Sequence, residues 1–187
     1  MTTNDYIYSV IKVLYSKLSN INNYSNLFQK VERQYPAIQT DKMLYSYIDD
    51  PSYIIDNIYL GNAYNAANYN LLKKLNIKII INITSDIPNY FKNDNNFTYI
   101  NYNIKDINNS NIKEFLLKSY LVLSTNNNNI LIHCYAGSSR SASIILYYLI
   151  KHYNQSFEEA NSFLKSKRDI VNINTTYINE IKKLCNV

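Results

Sequence analysis

The chain of 187 residues predicts an α/β fold: a central, mainly parallel (mixed) sheet of about five strands flanked by helices, with an extra helix at the N-terminus. Three observations predict it. Short β-branched runs alternate with amphipathic stretches, the pattern of strands joined by crossover helices. Residues 77–83, IKIIINI, are apolar almost throughout, as in a strand covered on both faces. Hydrophobic residues make up 47% of the chain, enough for one packed core, and no internal repeat interrupts the pattern.

Each element has its own signal. Residues 4–21 place Ile7, Ile11, Leu14, Leu18 and Ile21 on one helical stripe behind the polar start Thr3–Asn4. Residues 22–50 are polar and weakly periodic, a connector with one further helix around residues 24–35 that Pro36 ends. We therefore divide the chain into an N-terminal helical extension, 1–50, and a folded domain, 51–187. Within the domain, residues 54–60 read as a strand leading into Gly61, 69–75 as a helix and 77–83 as the next strand. Residues 98–104 alternate Ile100, Tyr102 and Ile104 against Tyr99, Asn101 and Asn103, a third strand. Residues 112–123 read as a helix, 126–129 as a loop, 130–133 as a fourth strand and 139–153 as a helix rich in Ile and Leu. Ser156 with Glu159 makes a capping box for a helix to about Lys167. Thr175 starts the last helix, with Ile178, Ile181 and Leu184 on one side.

Composition excludes several classes. No stretch approaches the roughly 18 consecutive apolar residues of a membrane span. The N-terminus lacks the parts of a signal peptide, and Thr2 stands where myristoylation needs glycine. Cys134 and Cys185 are too few for a disulfide framework, and we expect free thiols in the cytoplasm, and in the nucleus as well. Two His and no clustered Cys leave a zinc site without obvious ligands, so no metal or other cofactor is expected. A formal charge of +5 favours anionic partners without choosing among them. The excess of Tyr and Asn reads as compositional background. The only two glycines, Gly61 and Gly137, mark places where a side chain is not tolerated.

The chemistry lies in ILIHCYAGSSRSAS, residues 130–143. A buried strand ends at Cys134, a short turn follows, and a helix begins near Arg140. In open α/β sheets ligands bind beyond the carboxyl ends of strands, at helix N-termini. The turn Tyr135, Ala136, Gly137, Ser138, Ser139, Arg140 can aim successive N–H groups inward as an anion nest. Gly137 lets the backbone close around a phosphate-sized guest, and the two serines are small enough not to block it. Cys134 needs a lowered pKa to act as a nucleophile, and a helix N-terminus and a nearby cation lower it. Arg140 offers a planar fork for two phosphate oxygens. Ser141 can hydrogen-bond the sulfur and ease its departure, and His133 orients the loop. A lone cysteine at a strand end is most often a core thiol, and a bare Cys-x5-Arg spacing is weak; the full string decides.

That string, HCYAGSSRSAS, resembles position by position the His-Cys-x-x-Gly-x-x-Arg-Ser signature of the protein tyrosine phosphatase superfamily, and its centre is similar to that of dual-specificity phosphatases. The resemblance covers roughly residues 53–184. It implies the family's fold and phosphocysteine chemistry, making 51–187 a catalytic domain. It also implies that Asp106, at the end of TYINYNIKD, is the general acid, although Asp86 and Asp94 also lie in loops. FLKSKRDIVNINTTY is similar to the family's Lys-x-x-Arg stretch and Pro-Asn turn, giving Asn174 a loop-supporting role; Ile173 and Tyr177 depart from the usual Pro and Phe. The implied substrates are phosphotyrosine and phosphoserine or phosphothreonine in proteins, with no nucleic acid and no membrane as partner. An RNA 5′-phosphatase and a catalytically silent phosphoprotein-binding module are the alternatives. The layout ahead of the domain is similar to that of poxviral dual-specificity phosphatases, which implies a homodimer through the N-terminal helix.

Overall fold

A computed structural model describes residues 49–104 and 112–187. Residues Asp50–Val187 form one compact unit. The helices expected over 4–21 and 24–35, and the homodimer contact expected of the first, lie outside the described residues.

The sheet has five strands: β1 (Ser52–Ile55), β2 (Ile58–Gly61), β3 (Ile77–Asn82), β4 (Thr98–Asn101) and β5 (Asn129–His133). Their spatial order is β1-β2-β5-β3-β4. Only the edge pair β1–β2 is antiparallel; the other three pairings are parallel, so the sheet is mixed and mainly parallel as expected. The helices are α1 (Ala63–Ala67), α2 (Tyr69–Lys74), α3 (Lys113–Thr125), α4 (Arg140–Tyr153), α5 (Phe157–Lys167) and α6 (Thr175–Cys185).

Side-chain alternation sorts the two faces. Ile130 and Ile132 of β5, with Ile79 and Ile81 of β3, join the core shared with α3, α4, α5 and α6. Leu131 and Ile80 point the other way, onto Ala66 of α1, Leu72 of α2 and Phe97. Covering both faces is why these strands read as unbroken apolar runs. α4 is buried along Arg140–Ile150, so it is the central helix and the one whose N-terminus meets the end of β5.

The single strand expected over 54–60 is two strands. Asp56 takes a positive φ of 52° and the chain folds back into an antiparallel hairpin. Asp56 is fixed there by Tyr148, whose hydroxyl donates to its carboxylate at 3.3 Å, and by Tyr153. The strand expected over 98–104 ends at Asn101, although Tyr102 N–H still donates to Asn82 O at 2.8 Å. The Ser156–Glu159 capping box is present.

Asparagine does structural work here, which corrects its reading as background. Asn76, Asn154 and Asn186 occupy left-handed positions that glycine usually fills, the latter two as helix C-caps, and Asn62, Asn68 and Asn174 cap helix N-termini. A chain with two glycines needs these substitutes. No described helix is long and apolar enough to cross a membrane.

Candidate active site

β5 ends at His133 and α4 starts at Arg140, so residues 134–139 form a loop at the carboxyl edge of the sheet. The scaffold takes up its carbonyls. Tyr135 O accepts from Ala63 N–H at 3.1 Å, and Ser138 O from Asn172 N–H at 3.0 Å. Arg168 donates from Nη2 to Ala136 O at 3.1 Å and from Nε to Gly137 O at 3.0 Å. Across a planar trans peptide the following N–H points the opposite way. The N–H groups of residues 136–139 therefore face into the loop. Gly137 shows the direction: its N–H donates to Cys134 Sγ at 3.3 Å.

Gly137 sits at φ +72°, and a Cβ there would fall on the Gly61 carbonyl group and 3.1 Å from Arg168 Nη2. A Cβ at Gly61 would lie 2.8 Å from Leu131 Cδ1 and 2.9 Å from Asn65 Oδ1. Both glycines are required by close approach, as expected, and they are packed against each other.

The Cys134 thiol is buried, 2% exposed. Burial alone would push its pKa up. The Arg140 charge, the Ser141 hydroxyl at 3.1 Å and the N–H groups of Ser141 and Gly137 outweigh that, and the net shift is downward from the ordinary 9.0. Arg140, itself buried, donates from Nη1 to Ile104 O at 3.2 Å. The N-cap of α4, Ser139, makes no side-chain bond to the helix; its Oγ instead accepts from Asn174 N–H at 3.2 Å. The first N–H groups of α4 are thus not taken by a capping side chain, which suits an anion.

His133 is fully buried, and burial, chiefly, lowers its pKa to about 4, so the imidazole is neutral near pH 7. Its Nδ1 lies 3.4 Å from Cys134 O, and its own carbonyl accepts from Ile83 N–H at 2.9 Å. Asn174 reaches the loop through its backbone, while its side chain caps α6 by accepting from Thr176 N–H at 2.9 Å. Asp106 lies outside the described residues. Asp94 is partly exposed and accepts from both the backbone and the side chain of Asn96, which hold its carboxyl below the usual range. A carboxyl so held is a poor proton donor near neutrality.

Sequence reasoning named no site role for Arg168. Its signals were the Lys-x-x-Arg stretch that ends on it and its rarity, as one of three arginines in the chain, but its targets lie 31 and 32 residues away in sequence. Arg168→Met should cost about 2–4 kcal/mol, because two charge-assisted hydrogen bonds vanish and two buried carbonyls lose a donor. Arg168→Lys should recover only part of that, lacking the fork. Urea unfolding measures both, and an unchanged midpoint for Met would contradict the assignment.

The family description "Dual specificity phosphatase, catalytic domain" matches residues 58–186. The chain belongs to this family. As a dual specificity phosphatase domain it has relatives among larger proteins. It is 32% identical over 138 residues to a Xenopus laevis protein phosphatase Slingshot homolog, covering 72% of this chain and 20% of that protein. It is 31% identical over 134 residues to human dual specificity protein phosphatase 9, covering 70% of this chain and 35% of that one. The chain thus spans about a fifth to a third of these relatives. Among solved structures, the human tyrosine phosphatase-like serine/threonine/tyrosine-interacting protein superposes with a TM-score of 0.66 at 21% identity, covering 72% of this chain and 95% of that one. Human DUSP28 gives 0.68 at 18%, covering 74% and 94%. At these identities the likeness concerns the fold.

Proposed function

We propose that this domain hydrolyses phosphate esters of tyrosine, serine and threonine in proteins, through a phosphocysteine at Cys134. One observation carries the reading: a thiol with lowered pKa lies beneath a ring of inward N–H groups and beside a buried guanidinium. The Cys134 thiolate attacks phosphorus, and the bond from phosphorus to the side-chain oxygen breaks as Asp106 gives that oxygen a proton. Arg140 and the N–H groups of residues 136–139 hold the three equatorial oxygens, where negative charge is spread in the transition state. Asp106, now ionised, takes a proton from water as the water oxygen attacks phosphorus. Sulfur leaves as thiolate, stabilised by the Ser141 hydroxyl.

No lysine stands among Tyr135, Ala136, Ser138 and Ser139, which favours an ester with one phosphate over a polyphosphorylated lipid. Two free cysteines, one of them this nucleophile, suit a reducing compartment, the cytoplasm or nucleus.

The test offers phosphotyrosine, phosphoserine and phosphothreonine peptides to the full chain. We expect phosphate release from all three. For Asp106→Asn the rate should fall roughly 10²–10⁴-fold. The wild-type rate should decline as pH rises through the acid's pKa, because the protonated form donates; that alkaline limb should vanish in the variant. Peptide binding without release would leave a phosphoprotein-binding module, and release only from RNA 5′-phosphate would favour the RNA reading.

A further inference from the structure

We infer that the turn from Gly61 to Asn65, ahead of and into α1, is a positioning element for the anion-binding loop, holding the Tyr135–Ala136 peptide so that the Ala136 N–H faces the phosphate. This rests on the reading of residues 134–140 as a phosphate cradle.

Four successive loop peptides are held from outside, by two separate segments, the start of α1 and the stretch between α5 and α6. Arg168 holds two, Asn172 one, and α1 the first, through Ala63 N–H to Tyr135 O at 3.1 Å. α1 has only five residues, and all of them are buried. A helix this short is marginal without help. The help is a buried reciprocal cap: Asn62 Oδ1 accepts from Asn65 N–H at 2.9 Å, and Asn65 Oδ1 accepts from Asn62 N–H at 3.0 Å. Both side chains are 0% exposed. Gly61 fixes the height of the turn, since its carbonyl packs where a Cβ of residue 137 would be, and its own Cβ would strike Leu131 and Asn65. Gly61 also pairs in register with His133, which ties the turn to the strand that delivers the thiol.

The N–H that α1 orients is not one of those acting on the thiolate. The groups that lower the Cys134 pKa are Arg140, Ser141 and Gly137; Ala136 is not among them. A fault in this turn should therefore weaken anion binding while leaving the thiol's titration in place. General loosening of the loop would disturb both.

Ala63→Pro makes the cut. Residue 63 is the first of α1, where proline is accepted and its missing N–H costs the helix nothing. Asn62 is already extended, at φ −116° and ψ −177°, as a residue before proline must be. What is lost is the bond to Tyr135 O. Two quantities are read on the full chain from iodoacetate alkylation of Cys134: its midpoint with pH, and its protection by inorganic phosphate. We expect protection by phosphate to weaken about tenfold in Ala63→Pro and in Asn62→Ala, with the midpoint unmoved, and Asn62→Ser, which keeps a cap, to stay near wild type. Wild-type protection in both Ala63→Pro and Asn62→Ala would overturn the inference, and so would loss of protection accompanied by a shifted midpoint. Because protection does not require turnover, a wild type that binds phosphate without hydrolysing esters would sink the phosphatase reading and leave this one still decided by the variants.

Discussion

Cys134→Ser is expected to lower phosphate release on the order of 10⁴-fold or more, with the fold intact. The change is nearly isosteric at a buried position, so packing is preserved. The chemistry is not. The forces that lower the pKa at position 134, from Arg140, Ser141 and Gly137, act on a thiol whose ordinary value of 9.0 is already close to neutrality. The same forces cannot bring an aliphatic hydroxyl into range. The cradle of N–H groups is made by main chain and by Arg168, neither of which the substitution touches. The variant should thus still bind phosphopeptides while failing to cleave them. Turnover of an aryl phosphate measures the loss; a variant within tenfold of wild type would mean that another group is the nucleophile.

Arg140 carries the second large effect, and two substitutions separate its two roles. Arg140→Lys keeps a positive charge but loses the planar fork. It should lower kcat by about 10²–10³-fold, the scale of removing a preorganised donor from a developing oxyanion. The thiol pKa should then stay below the ordinary range, because the charge that opposes burial is still there. Arg140→Met removes the charge as well. The largest cause that lowers the Cys134 pKa disappears, and burial pushes the thiol up. With a raised pKa the thiolate fraction at a given pH falls, so the ascending limb of the pH–rate profile moves to higher pH. Lysine and methionine variants with the same alkylation midpoint would show that Arg140 does not set the thiol's charge state.

The catalytic loop was legible because its parts are contiguous in sequence. Cys134, Gly137, Arg140 and Ser141 fall within eight residues, and strand, turn and helix supply the geometry locally. The buried strands were legible for a related reason, since two-sided burial writes itself as an apolar run at Ile79, Ile80 and Ile81. What escaped notice depends on distance or on unusual residues. The β1–β2 hairpin hides inside one apolar stretch because Asp56, not glycine, takes the left-handed turn, and what fixes it are tyrosines more than 90 residues away. α1 is too short for periodicity to register, and only its paired asparagines betray it. Arg168 reaches the loop from the end of α5, a contact that no local pattern encodes. The support of the site was therefore harder to read than the site itself.

The most direct measurement is the pH dependence of iodoacetate labelling at Cys134, followed on the full chain with and without inorganic phosphate. Labelling should rise with a midpoint below the ordinary thiol value of 9.0 and be suppressed by phosphate. A midpoint at or above that value, or labelling indifferent to phosphate, would contradict the claim that position 134 holds a thiolate inside an anion cradle.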